Sequence, residues 1–393
     1  MPRPLILFCA ALARDGVARN TVYVANALAR RGAAVEVVCL EAGPLADDLD
    51  GPALTRLGRP PGPRPLALAA AVPALRARFR QAGAVVSMGN HAHLAVWAAL
   101  QVLPGLPRLY RISNDPFHAG EPAAIRRLRG AGLSLIVRDG APLVSVSSVA
   151  ARRPAFEPAR REGRLHVAPN GVDVAAIRAR AAEPCAHPWL SDGALYLAAV
   201  GRLHRQKNVE ALIQALAVLR AGAWPDLRLL VLGGGGARRR RRLEALARNL
   251  GLQEAVRFEG EVANPFPLVA RAAAYVLPSR WEGASNSLLE ALACGVPVVA
   301  AVTAGSAPEV LAGGRYGALA SPEPQDLAHA IGAQLDPATR VLPRDRAADY
   351  SLEAAVERFC DLVLAVRDQH GEIQIRAAAP AHLAPVGRGV RGR

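Results

Sequence analysis

The feature that constrains this chain most is a repeated alternation of short, mainly apolar runs with longer stretches of helical period. That is the pattern of parallel strands buried on both faces by crossover helices. In the first half, Leu5 to Ala11, Ala33 to Leu40, Ala84 to Ser87, Arg108 to Ile112 and Leu143 to Val146 read as strands. Helical patterns run from Val17 to Arg31 and from Leu66 to Arg80. A second series of strands begins near Ala194: Ala194 to Val200, Leu227 to Leu232, Ala255 to Phe258, Ala274 to Leu277 and Val296 to Val302. At 393 residues the chain exceeds what one core comfortably holds. Two α/β domains are therefore expected, 1–173 and 194–350, joined by an Ala- and Pro-rich linker at 174–193 and followed by a disordered tail at 371–393. Two such sheets facing each other make a cleft at the carboxyl ends of their strands, where α/β sheets bind ligands.

No run of 18 apolar residues is present, so the sequence offers no candidate for a spanning helix. The segment Met1 to Arg14 imitates a targeting signal but reads better as a buried first strand ending at Asp15 and Gly16. The five cysteines lie far apart, without metal-site spacing, and fit a reducing, cytosolic setting. Net charge is +15, and Lys207 is the only lysine among 48 basic residues. Residues 1–173 hold 22 Arg against 12 acidic residues, a surplus of +10. Such a surplus fits an anionic partner or a general arginine enrichment equally well. Aromatic content of 4%, with no aromatics interleaved among the arginines, argues against single-stranded nucleic acid as a partner.

Three segments of the second half converge on the expected cleft. Gly201 to Asn208, GRLHRQKN, follows a strand and precedes a helix, so free N–H groups, Arg202 and Lys207 together form an anion site. In the alternative, Asn208 caps the helix and both cations are solvated. Gly233 to Gly236 also follow a strand and allow close backbone approach, though they match no established phosphate motif, and Arg238 to Arg242 read as a solvated helix face. In the third segment, Pro278 to Ala300, a helix from about Leu288 to Ala293 follows a polar loop. There Glu290 can accept from a ribose and Glu282 from a transferred sugar, while N–H groups meet phosphate. Ser287 and Glu290 also fit a capping box, and spacing leaves the two readings even.

These segments, with NPFPLVARAAAYVLP from Asn264, APEVLAGGRYGAL from Ala307 and HVAPNGVDV from His166, resemble the retaining family 4 glycosyltransferases of the GT-B fold. The resemblance implies two Rossmann-like domains facing across a cleft and a C-terminal helix at 351–370 crossing back to the first domain. It implies a donor site made by Gly16, Arg202, Lys207, Gly233, Val262, Glu282, Ser285, Asn286, Ser287, Leu288 and Glu290. Arg202 and Lys207 would grip the donor diphosphate, with base contacts from backbone near Gly260 to Val262. No cofactor is expected beyond the nucleotide-diphosphate sugar substrate, a UDP-sugar first.

The sequence departs from the family pattern in places. One glycine, Gly16, stands where two are usual, and Gly283-Ala284-Ser285-Asn286 replaces the usual Gly-Phe-Pro loop. Where many relatives carry an active-site histidine, this chain reads RISNDPFHAG, so Asn114, Asp115 and His118 are all candidates beside Glu282, with His91 and His93 as rivals. Metal independence is expected, because the cations already face the diphosphate and the lone D-x-D at Asp48 to Asp50 reads as a surface loop. The expected acceptor is a glycan or lipid-linked sugar in a cell-envelope polysaccharide pathway. The protein is expected to be cytoplasmic and peripheral on the inner face of the cytoplasmic membrane. Two arginine-rich apolar segments, around Leu75 and Phe79 with Arg76, Arg78 and Arg80, and around Ile125 and Leu128 with Arg126, Arg127 and Arg129, are the expected contacts with anionic lipid. A sugar-nucleotide epimerase of the same fold and a non-enzymatic polyanion-binding protein remain as alternatives.

Overall fold

The computed structural model describes residues 3–118 and 120–368 and contains two parallel sheets. The first has the order β3-β2-β1-β4-β5-β6-β7. Its strands are β1 (Leu5–Phe8), β2 (Val35–Cys39), β3 (Ala53–Arg56), β4 (Ala84–Ser87), β5 (Arg108–Ile112), β6 (Leu143–Ser145) and β7 (Leu165–Val167). The second has the order β10-β9-β8-β11-β12-β13. Its strands are β8 (Tyr196–Val200), β9 (Arg228–Leu232), β10 (Val256–Gly260), β11 (Ala274–Leu277), β12 (Val298–Ala301) and β13 (Ala318–Ala320). Continuous apolar runs are the price of being covered on both faces. In β1, Leu5 and Leu7 enter one layer with Leu28 and Phe359, while Ile6 and Phe8 enter the other with Leu75 and Phe79. Each such side chain contributes about 1.5–3 kcal/mol on burial.

Strand order reverses between β1 and β4 and again between β8 and β11. At such switch points successive crossovers lie on opposite faces, and the loops leaving the strands part to form a crevice. The two crevices face each other in this molecule, as the contacts described below show.

The structure differs from the sequence reading in several places. Strands β3, β7 and β13 were not anticipated: β3 and β7 have no fully buried residue, and β13 is a three-residue edge strand of small side chains. The helix expected from Leu66 to Arg80 is two helices, Arg64–Ala70 and Val72–Phe79, because Pro73 lacks the N–H that would continue the first. The segment 174–193 is folded, not an irregular linker. Asp173 caps a helix at Val174–Ala181, and Ile177 and Trp189 enter the core beneath the second sheet. Leu75 and Phe79 are fully buried and Arg78 pairs with Glu36, so the first of the two expected lipid-facing segments is an ordinary core helix. Ile125 and Leu128, in the Ala123–Arg138 helix, are 48% and 76% exposed.

The chain crosses between the domains twice, side by side. Val172 N–H donates to Tyr350 O at 2.8 Å, and Leu352 N–H donates to Val172 O at 3.1 Å. A Cβ on Gly171 would lie 2.5 Å from Leu352 Cα, so glycine is what allows the two passages to touch. After the second passage the helix Leu352–Asp368 packs on the first domain, with Phe359, Cys360 and Val363 in the layer that holds Val24 and Leu28. The rest of the helix expected to 370, and the tail expected at 371–393, lie outside the described residues.

Candidate active site

The loops at the second switch point are held together by backbone. Gly201 N–H donates to Leu232 O at 2.8 Å and Gly233 N–H to Gly260 O at 2.6 Å. Gly233 has φ 140°, and a Cβ there would sit 2.2 Å from Gly201 O, so any side chain would push the two loops apart. Lys207 lies along Gly201 and places Nζ 2.5 Å from Glu282 Oε1. Glu282 is 7% exposed and also accepts from Ser279 Oγ and from Gln206 Nε2, both at 3.0 Å. Three donors therefore fix one buried carboxylate at the floor of the cleft. Arg202 is exposed, and its side chain makes no hydrogen bond or ion pair among the described residues. The capping role weighed for Asn208 does not hold: its backbone is left-handed (φ 52°), and its side chain donates to Pro322 O and accepts from Arg280 Nε.

The third segment also resolves. Its helix runs Asn286–Ala293, two residues longer than expected, and its N-cap Ser285 makes no side-chain cap bond. The first N–H groups of that helix have no intrahelical acceptor and carry the positive end of its dipole. Ser287 is inside the helix and its Oγ accepts from Tyr275 OH at 2.7 Å, so the capping box with Glu290 does not form. Glu290 instead accepts from Arg19 Nη1 of the first domain at 2.7 Å. Two expected donor residues have their groups engaged within the protein: Ser287 Oγ by Tyr275 OH, and Leu288, whose side chain is fully buried, by its N–H on Ser285 O. Asn286 Oδ1 accepts from Asn170 Nδ2 at 2.7 Å, and Gly16 packs against the same side chain. Val262 lies just past β10, partly buried against the core.

The first domain supplies the opposite wall. A Cβ on Gly283 would lie 2.6 Å from Ser113 O and 2.7 Å from Asn114 Cα, so the Glu282-Gly283 turn touches the loop after β5 backbone to backbone. Asn90 pins that loop, donating to Asn114 O and accepting from Ser113 N–H, each at 2.8 Å. The three candidates in it separate. Asp115 is buried and held by Arg153 and by Phe117 N–H, and the Asn114 side chain accepts from Asp115 N–H. His118 alone presents its ring to the second domain, stacking on Trp281 with centroids 4.8 Å apart at 14°. Burial, and then the Arg129 cation bonded to its ring, hold the His118 pKa below the ordinary value. His91, at the rim, is lowered by burial and then by Arg64, Arg129 and Arg202, which puts it in the field of the donor-loop cation. His93 is a core residue on Ser87 Oγ, pushed down to about 3 by burial.

Among the described residues no group of three or more His, Cys, Asp or Glu side chains is placed to hold a metal. Residues 14–176 match the sequence profile described as Glycosyltransferase Family 4, and residues 194–336 match that described as Glycosyl transferases group 1. Together they cover every strand but β1 and every loop that carries a candidate site residue. The chain belongs to glycosyltransferase family 4.

The first domain of this family 4 protein is matched in its own right. Among curated relatives, a Campylobacter jejuni N-acetylgalactosamine-N,N'-diacetylbacillosaminyl-diphospho-undecaprenol 4-alpha-N-acetylgalactosaminyltransferase is 34% identical over 38% of this chain and 38% of its own length. A D-inositol 3-phosphate glycosyltransferase of Pseudarthrobacter chlorophenolicus is 33% identical over 59% of this chain and 56% of its own. The matched segments thus span about half of these relatives or less. The GT-B fold is shown by solved structures: HepE of Anabaena in complex with UDP and glucose, with TM-score 0.75 and 18% identity over 92% of this chain and 100% of that one. WaaG, a glycosyltransferase involved in lipopolysaccharide biosynthesis, gives TM-score 0.72 and 20% identity over 91% and 99%. Membership of family 4 does not favour the epimerase or polyanion-binding readings.

Sequence reasoning missed Arg19, Asn170, Gln206 and Trp281, all of which touch the site. Arg19 alone carried a usable signal, because it stands three residues after Gly16 and so shares its helix face.

Proposed function

We propose that the protein transfers a hexosyl group from a nucleotide-diphosphate sugar, a UDP-sugar first, to a glycan or lipid-linked sugar, with retention of configuration and without a metal. The observation that carries the reading is the convergence, at one switch point, of an unpaired Arg202, a Lys207 anchored on buried Glu282, and the uncapped N-terminus of the Asn286–Ala293 helix. Departure of a diphosphate builds negative charge on its oxygens, and preorganised cations and N–H groups aimed there stabilise that charge as a metal does in other transferases. In this reading Gly16, Gly233, Ser285 and the N–H groups of Asn286 and Ser287 approach the diphosphate, and Glu290 takes ribose hydroxyls. Val262 stands near the base. Glu282 lies at the donor sugar, and His118, kept neutral, is the first-domain polar group nearest the acceptor. The UDP and glucose bound in the HepE complex support a UDP-sugar, and the name of the C. jejuni relative supports a diphospho-lipid acceptor. No described helix is long and apolar enough to cross a membrane. Ile125 and Leu128 beside Arg126 and Arg127 suit peripheral contact with an anionic inner leaflet, as a cytoplasmic enzyme with a lipid-linked acceptor needs.

The test is thermal shift against a panel of sugar nucleotides, followed by transfer assays with the best binder. A donor at a hundred times its dissociation constant adds about 2.7 kcal/mol of stability. Transfer should survive a chelator and keep the anomeric configuration of the donor. Rescue by added magnesium after chelation, or no stabilisation by any sugar nucleotide, overturns the reading.

A further inference from the structure

Among the described residues, one ion pair crosses between the two domains at the cleft: Arg19 Nη1 to Glu290 Oε1 at 2.7 Å. Its geometry follows from two helix starts meeting. Asp15 caps the Gly16–Arg30 helix by accepting from Val17 and Ala18 N–H, which fixes the first turn. Gly16 then packs on Asn286, and Arg19, one turn along one helix, reaches Glu290, one turn along the other. Tyr23, a further turn on, flanks both charges. The pair lines the cleft, with 42% of the Arg19 side chain and 16% of the Glu290 side chain exposed. Glu290 makes no other side-chain hydrogen bond among the described residues, so Oε2 is left unengaged.

As glue between domains this contact is weak, since half-exposed, solvent-screened ion pairs add little to stability. As a constraint on direction it is strong. A lone glutamate on a helix face spreads over several rotamers, whereas one with Oε1 held by a guanidinium presents Oε2 in a single direction. We propose that Arg19 is a positioning residue for nucleoside recognition. By holding Oε1 it turns Oε2 into the cleft to accept from the ribose 2′-hydroxyl, so discrimination for ribose depends on a residue of the domain opposite the donor loops. The proposal rests on the reading of Glu290 as the ribose ligand.

The experiment measures dissociation constants of UDP and 2′-deoxy-UDP by calorimetry for the full chain and for Arg19→Gln, Arg19→Lys and Glu290→Gln, with melting temperatures as a check on folding. A hydrogen bond to a charged acceptor corresponds to about tenfold or more in affinity, so the unsubstituted protein should prefer UDP by at least that factor. Arg19→Gln should narrow the preference to about twofold by weakening UDP alone, leaving 2′-deoxy-UDP unchanged. Arg19→Lys, which keeps the charge, should restore part of it. Combining Arg19→Gln with Glu290→Gln should add nothing to Glu290→Gln alone. If Arg19→Gln keeps the full preference, or weakens both nucleotides equally as a mere strut would, the proposal is overturned while Glu290 stands. If the unsubstituted protein does not distinguish the two nucleotides, or binds neither, the reading of Glu290 itself falls.

Discussion

Replacing Gly283 with alanine separates closure of the cleft from donor binding. Gly283 does not occupy the left-handed region, so alanine brings no backbone strain of its own; the three atoms nearest the added methyl all belong to the opposite domain. It would stand 2.6 Å from Ser113 O and 2.7 Å from Asn114 Cα, about 0.8 Å short of an ordinary 3.4 Å contact with the oxygen. Both obstacles are backbone, and Asn90 pins the loop that carries them. Left unrelieved, overpacking of this kind costs about 1–3 kcal/mol, but a small rotation at the interdomain passages relieves it by opening the cleft. The melting temperature should therefore change little. A displacement of about 1 Å between reacting groups can cost about a hundredfold in rate, so Gly283→Ala should lose about that factor in transfer. Donor affinity should fall less, by no more than the loss expected for Arg19→Gln, because Arg202, Lys207 and the Asn286–Ala293 helix all lie in one domain. Steady-state transfer and donor calorimetry on the same preparation decide it. A rate close to that of the unsubstituted protein, or a loss of donor binding as large as the loss of rate, would refute the argument.

Arg202→Ala should weaken donor binding by about 1.5–3 kcal/mol with an unchanged melting temperature, because Arg202 has no partner among the described residues to lose. Lys207→Ala should also unfold at lower temperature: it strands Glu282, and breaking a buried pair costs about 3–5 kcal/mol, so equal melting temperatures for the two variants would contradict the pairing. His93 is pushed from 6.5 to about 3 by burial, so the unfolded chain takes up its proton first and stability is lost as pH falls below 6.5 toward 3. At pH 5 the loss is about 2 kcal/mol, and melting curves of His93→Asn should show less decline between pH 7 and pH 5 than the unsubstituted protein. Sedimentation with anionic vesicles should weaken on changing Arg126 and Arg127 to Gln and Leu128 to Ser, and be indifferent to Arg78→Gln; the reverse order would move the contact surface.

The doubly wound sheets were legible because strands covered on both faces need continuous apolar runs, and β1, β11 and β12 read directly from them. Edge strands such as β3 and β7 were not, since half-exposed strands need no such run. The donor loops were legible as strand-to-helix turns bearing the single lysine. What Lys207 does there was not, because its partner Glu282 is 75 residues away and only the sheet order brings them together. The ambiguity at Glu290 between cap and ligand could not be settled by spacing. It turned on where the helix begins, and a start two residues before Leu288 moved Ser287 inside and left Glu290 to Arg19. Among the candidates in the loop after β5, type alone could not tell that Asp115 faces Arg153 while His118 faces Trp281.

The returning helix Leu352–Asp368 has a consequence for how the protein is made. Its Phe359, Cys360 and Val363 complete a layer under β1 and β4 that everything before residue 174 leaves open. During synthesis, therefore, the domain built from the start of the chain waits for the last helix to emerge, whereas the second domain closes its own core between residues 172 and 350 and can fold first. A ribosome stalled between the two would hold a finished donor domain beside a first domain with an exposed apolar trough, the form most in need of a chaperone. A fragment cut before Ser351 would carry the same defect, so the isolated first domain calls for the helix to be supplied in trans or spliced back by circular permutation.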